Sequence, residues 1–79
     1  SKYLIIDTRS ESQHNSAHIE GAINIPLEKL REKLNELPRD KKIIVHCNKG
    51  TTGNAAQNIL LNYGFDVSNL SGGFKNYNN

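Results

Sequence analysis

Residues 41–53 read KKIIVHCNKGTTG, and the fold turns on how this stretch is parsed. Ile43, Ile44 and Val45 form a short apolar run of the kind seen in a strand buried on both faces, and it ends at His46 and Cys47, the chain's single cysteine. Six small or polar residues follow: Asn48, Lys49, Gly50, Thr51, Thr52 and Gly53. The two glycines let the backbone curl with its N–H groups inward, Gly50 being expected to take a positive φ, and a helix is expected from about Gly53 to Tyr63. A thiol at a strand tip that faces such N–H groups and a helix N-terminus is stabilised as an anion. Its pKa falls from about 8.5 toward neutrality, which makes it a nucleophile. A lone cysteine in isolation is more often a small buried hydrophobe. The order strand, thiol, glycine-containing loop, helix favours the reactive reading here, because ligand crevices in open α/β sheets lie beyond the carboxyl ends of the strands.

Working outward, Tyr3-Leu4-Ile5-Ile6 reads as a second strand covered on both faces, with Asp7 and Arg9 at its carboxyl end. Ser10-Glu11-Ser12-Gln13 fits a capping box that opens a short helix over Glu11 to Ser16. Ala22 to Ile25 is a short strand stopped by Pro26, which cannot donate to a ladder. Leu27, Leu30, Leu34 and Leu37 recur at helical spacing among charged residues, predicting a surface helix that packs on the sheet. Gly64 suits the position just past the next helix, Phe65 to Leu70 forms a last strand, and Gly72-Gly73 turns into a final short helix. Strands alternating with helices, without a two-residue hairpin signal, predict an α/β sandwich around a parallel sheet.

Seventy-nine residues give room for one domain, residues 1–79. One cysteine excludes an internal disulfide, and His14, His18 and His46 lack the spacing of a metal site, so each is read as structural. The formal charge of +2, with basic residues dispersed among acids, excludes a nucleic-acid signature. No apolar run approaches the roughly twenty residues of a membrane span. A reducing, cytoplasmic setting is the expectation. The chain opens on Ser1 instead of methionine, as in a processed chain, a tag remnant or a domain cut from a longer protein.

Five blocks together resemble the rhodanese-like sulfurtransferase family. Cys47, Gly50 and Gly53 fall where single-domain members carry CxxGxR plus a small residue, and Leu4 to Arg9 looks like the family's LIDVR strand. His18 to Pro26 is similar to HIxGAxNIP, Leu70 to Phe74 is similar to LxGGF, and Tyr77 stands where the family often has tryptophan. The resemblance implies a three-layer sandwich with a central parallel sheet flanked by helices. The family's usual first strand and helix have no counterpart ahead of Tyr3, so that strand is expected to be missing. It also implies Cys47 as the catalytic residue, residues Asn48 to Gly53 as the anion-binding loop, and Asp7, Arg9 and His18 as loop-ordering residues.

The implied chemistry moves sulfane sulfur from a small donor, thiosulfate or a persulfide, through a Cys47 persulfide to a thiol or cyanide, without metal or other cofactor. One departure bears on this. Thr52 stands where the family usually has arginine, so the fixed charge and bidentate donors for an anionic group are absent, with Lys49 as a mobile point charge on the same loop. Thr52 also argues against a cysteine phosphatase, whose phosphoryl chemistry needs that arginine. Two alternatives remain: a non-catalytic binding or regulatory module, and a thiol-disulfide exchange module fused or docked to a larger flavin-dependent reductase. The chain has no GxGxxG stretch to hold a flavin itself.

Overall fold

The computed structural model describes residues 2–46 and 50–70, with backbone alone at 50–53 and 70. Cys47, Asn48, Lys49 and the tail expected to form a last short helix lie outside the described residues. Four strands, β1 (Tyr3–Asp7), β2 (Ile23–Asn24), β3 (Lys42–His46) and β4 (Val67–Leu70), form one sheet in the order β2-β1-β3-β4. All three pairings are parallel, with Ile6 opposite both Ile23 and Val45, Asp7 opposite His46, and Ile43 opposite Val67.

Parallel neighbours require crossovers, and the chain supplies a helical segment for each. Helix α1 (Glu11–Ser16) connects β1 to β2, and its capping box forms as the sequence indicates, with the Ser10 hydroxyl accepting from Gln13 N–H and the Gln13 side chain accepting from Ser10 N–H. The expected leucine helix is a composite: a 3₁₀ turn (Leu27–Lys29), α2 (Leu30–Lys33) and a second 3₁₀ turn (Leu34–Glu36). Leu30, Leu34 and Leu37 are buried and Leu27 packs at their edge, so the periodicity identified the right face. Helix α3 (Gly50–Asn62) connects β3 to β4.

The α3 C-terminus shows why Gly64 is where it is. Phe65 N–H donates to Leu60 O and Gly64 N–H to Leu61 O, a Schellman pattern that needs the left-handed φ of +87° found at Gly64. Arg39 seals the same end, donating from Nη1 to Tyr63 O at 2.7 Å while its guanidinium lies 4.2 Å from the centre of the Phe65 ring.

The core joins Ile6, Ile43, Val45 and Val67 of the sheet to Leu30, Leu34, Ala56 and Leu60 of the helices. β1 departs from the two-sided burial its sequence suggests: Tyr3 is 54% exposed, whereas Ile6 and Asp7 are fully buried. The carboxyl end of the sheet is therefore its deep end, as a site built there requires. Leu60 is fully buried and its neighbour Leu61 is half exposed. Urea unfolding should show Leu60→Ala losing about 3 kcal/mol through lost burial and a cavity, and Leu61→Ala changing by less than about 0.5 kcal/mol. Equal losses would mean that α3 docks through a different face.

Candidate functional site

The connections leave β1 and β3 in opposite directions across the sheet, toward β2 and toward β4 respectively. That divergence makes the carboxyl ends of β1 and β3 the topological switch point, the place where open α/β sheets bind ligands. The last residues of these two strands, Asp7 and His46, face each other in register, and Cys47 is the next residue in the chain.

Asp7 is fully buried and heavily bonded. Its Oδ1 accepts from Arg9 N–H and Arg9 Nε, each at 3.0 Å, and its Oδ2 lies 2.9 Å from both Arg9 Nη2 and His14 Nδ1. The Asp7 carbonyl accepts from Ile25 N–H and Asn24 Nδ2, and Asn24 Nδ2 also reaches Arg9 O. Burial alone would raise the carboxyl pKa. The Arg9 side-chain and backbone donors, with His14, outweigh burial and hold Asp7 below its ordinary value. His46 Nδ1 lies 3.6 Å from Asp7 Oδ1. Burial of His46 pushes its pKa down, and the nearby Asp7 charge only partly opposes this, so the imidazole is held neutral.

Thr8 clamps the strand end itself. Its N–H at 2.9 Å and its hydroxyl at 3.1 Å both donate to the carbonyl of His46, which fixes the peptide plane leading into Cys47. Beyond Asp7, the chain of contacts continues outward: Arg9 Nη2 donates to Ala17 O, His18 Nδ1 lies 2.7 Å from His14 O, and the two imidazoles stack at 3.8 Å.

Of the residues named from sequence, Asp7 and Arg9 pair at the carboxyl end of β1, and His18 stacks on His14 beyond them. Cys47, Asn48 and Lys49 lie outside the described residues. Gly50, Thr51, Thr52 and Gly53 form the first turn of α3, so the helix starts three residues earlier than the sequence suggested and the expected curl does not extend to Gly53. Helical backbone has negative φ, which removes the requirement for a positive φ at Gly50. The first-turn N–H groups, those of Gly50 to Thr52 among them, have no partners within the helix. Thr8, His14, Asn24 and His46 were not singled out as site residues. Only the adjacency of His46 to the cysteine was visible in the sequence, since the other contacts depend on strand register. Among the described residues no group of three potential metal ligands converges, and no helix is long and apolar enough to cross a membrane.

Comparison with known proteins places this geometry in context. A family model described as Rhodanese-like domain matches residues 1–79. The chain is 39% identical over 77 residues to YqhL of Bacillus subtilis, covering 96% of this chain and 61% of that protein. It is 36% identical over 72 residues to the thiosulfate sulfurtransferase PspE of Escherichia coli, covering 89% and 69%. Among solved structures, reduced CoADR-RHD of Bacillus anthracis superimposes with a TM-score of 0.85 at 42% identity, covering 92% of this chain and 13% of that one.

The electrostatics give a pH signature. A depressed His46 pKa stabilises the fold fully above the unfolded-state value of 6.5 and progressively less as pH falls below it. The depressed Asp7 pKa adds stability above 3.8 that is lost as pH falls through the lower folded-state value. Asp7→Asn should therefore cost about 3 kcal/mol at pH 7, by leaving Arg9 poorly paired, and its deficit should shrink below pH 3.8. Denaturant titrations of both proteins from pH 8 to pH 3 measure this. A deficit independent of pH would show that the ionised carboxylate is not what the network stabilises.

Proposed function

Because the chain belongs to the rhodanese-like domain family, we propose that it is a sulfurtransferase that carries sulfane sulfur on Cys47. The observation that carries this reading is the Asp7–His46 pair at the topological switch point, with the His46 carbonyl fixed by Thr8 and the cysteine immediately next in the chain. Similarity to a thiosulfate sulfurtransferase supports it.

In the first half-reaction the Cys47 thiolate attacks the outer sulfur of the donor. A new S–S bond forms to Cys47, and the donor's own bond to that sulfur breaks, its electron pair leaving as sulfite when the donor is thiosulfate. In the second, a thiolate or cyanide attacks the outer sulfur of the persulfide and Cys47 departs as thiolate. The anion at Cys47 is stabilised in both steps by first-turn N–H groups of α3 and by the positive end of that 13-residue helix. Asp7, Arg9 and His18 serve as loop-ordering residues, while Asn48, Lys49, Gly50, Thr51, Thr52 and Gly53 make the anion-binding segment. A reducing, cytoplasmic compartment suits a working thiolate.

A fused or docked partner is part of this proposal. The chain spans 61% of the length of YqhL and 13% of CoADR-RHD, and the identity to the latter supports a role as one module among others.

Incubation with thiosulfate followed by intact-mass spectrometry should show one added sulfur, removed by cyanide and absent in Cys47→Ser; a wild-type protein that gains no sulfur from thiosulfate or from a persulfide donor would overturn the proposal. Thr52→Arg should raise turnover of thiosulfate by about tenfold relative to a neutral persulfide donor, since it adds a bidentate cation to the segment. Equal gains with both donors would place Thr52 away from the donor's anionic group.

A further inference from the structure

The histidine pair on the segment between β1 and β2 offers a chemistry that sulfur transfer does not use. His14 lies in the last turn of α1, and the chain turns extended at Ala17. His18 nevertheless folds back, so that the two imidazoles stack with centres 3.8 Å apart and planes 15° from parallel. Three residues separate the pair, one of the histidine spacings found in metal sites. In sequence each histidine reads as structural; the fold sets the second donor beside the first.

The partners decide both tautomers. His14 Nδ1 lies 2.9 Å from Asp7 Oδ2, and an ionised carboxylate can only accept, so Nδ1 carries the proton. His18 Nδ1 lies 2.7 Å from the main-chain oxygen of His14, which also can only accept, so here too Nδ1 donates. In a neutral ring a proton on Nδ1 leaves Nε2 as a bare lone pair. Neither Nε2 is spent on a hydrogen bond to another described residue. A carboxylate or a main-chain carbonyl behind the far nitrogen is what orients metal-ligating histidines and raises their basicity. His14 has the first and His18 the second.

We infer that His14 and His18 bind one borderline-soft divalent transition ion, of the class of Zn²⁺, through their two Nε2 atoms. Imidazole nitrogens select this class over Mg²⁺ and Ca²⁺, which take oxygen ligands. The His14 side chain is only 13% exposed and is held by Asp7, whereas His18 is exposed, so the His18 ring turns to set metal–nitrogen bonds of about 2.0–2.1 Å. No third histidine, cysteine or acidic residue joins the pair among the described residues, so water completes the shell. The Arg9 guanidinium reaches Ala17 O nearby and would oppose a cation, but its charge is paired with Asp7. A bound ion polarises His14 and strengthens its bond to Asp7, which tightens the segment that follows β1.

The test uses the whole chain carrying Cys47→Ser, which removes the thiol as a competing ligand. Titration with Zn²⁺ under imidazole nitrogen NMR should move the Nε2 resonances of His14 and His18 together, at one ion per chain, and leave those of His46 in place. His18→Phe keeps a ring for the stack and removes one donor. It should weaken binding by at least about tenfold, since the second donor acts at a high effective concentration. Zn²⁺ should also raise the unfolding temperature of the parent more than that of His18→Phe, because only the folded chain holds both nitrogens together. Movement of one ring alone, of Nδ1 in place of Nε2, or of neither ring up to about 1 mM Zn²⁺ would overturn the inference and leave the stack as packing. Binding by His18→Phe as tight as the parent's would overturn it too. The resonances of the parent decide the matter even where His18→Phe does not fold.

Discussion

A fully buried carboxylate is the constraint on which the carboxyl end of this sheet depends. Asp7 closes β1 at the deepest point of the sheet, where an unpaired charge would cost several kcal/mol, so its surroundings must supply donors. Arg9 and His14 do so from the segment that leaves β1, which folds that segment back over the strand end and sets where α1 begins. The same residue's main-chain oxygen takes Ile25 N–H and the Asn24 amide, tying down the exit of β2. One side chain and one carbonyl therefore hold together the segments that follow β1 and β2.

The parallel sheet explains why this investment sits next to the cysteine. Each crossover must run from a carboxyl end back to an amino end, so all strand exits collect on one side of the molecule. Only between β1 and β3 do the connections diverge, the position at which open α/β sheets bind ligands. Asp7 ends one of these strands and His46 the other, in register. Thr8 then joins the two by donating twice to the His46 carbonyl, so the geometry ahead of Cys47 is set by β1 as well as by the strand that carries it.

What the sequence disclosed follows the range of the interactions. The Ser10–Gln13 capping box and the Gly64 helix end are local, and both were readable from a few adjacent residues. The leucine spacing from Leu27 to Leu37 gave the buried face, because burial follows periodicity even where the backbone alternates between 3₁₀ and α geometry. The start of α3 was placed late, since glycine and threonine are poor helix formers and Gly50 to Gly53 hold two of each; the helix N-terminus tolerates them because its first N–H groups need no intrahelical partner. The clamp of Thr8 on His46 spans 38 residues, and the contact of His14 with Asp7 depends on how α1 returns. No local pattern encodes either.

The network also bears on how the proposed chemistry manages charge. An arginine at the carboxyl end of β1 invites the idea that Arg9 replaces the cation missing at Thr52, but the geometry assigns Arg9 elsewhere. Its Nε and Nη2 are spent on Asp7, Nη2 also reaches Ala17 O, and the buried carboxylate cancels its charge. The anionic centre of the proposed reaction is left with the helix-terminus N–H groups. Partial charges of a helix end suffice for a single thiolate or persulfide anion, where the field acts over one turn. They are a weaker match for a dianion whose sulfonate extends past that turn and would need a bidentate cation of its own. On the proposed reading, the electrostatics therefore favour a donor that brings little charge, a protein or small-molecule persulfide, over thiosulfate.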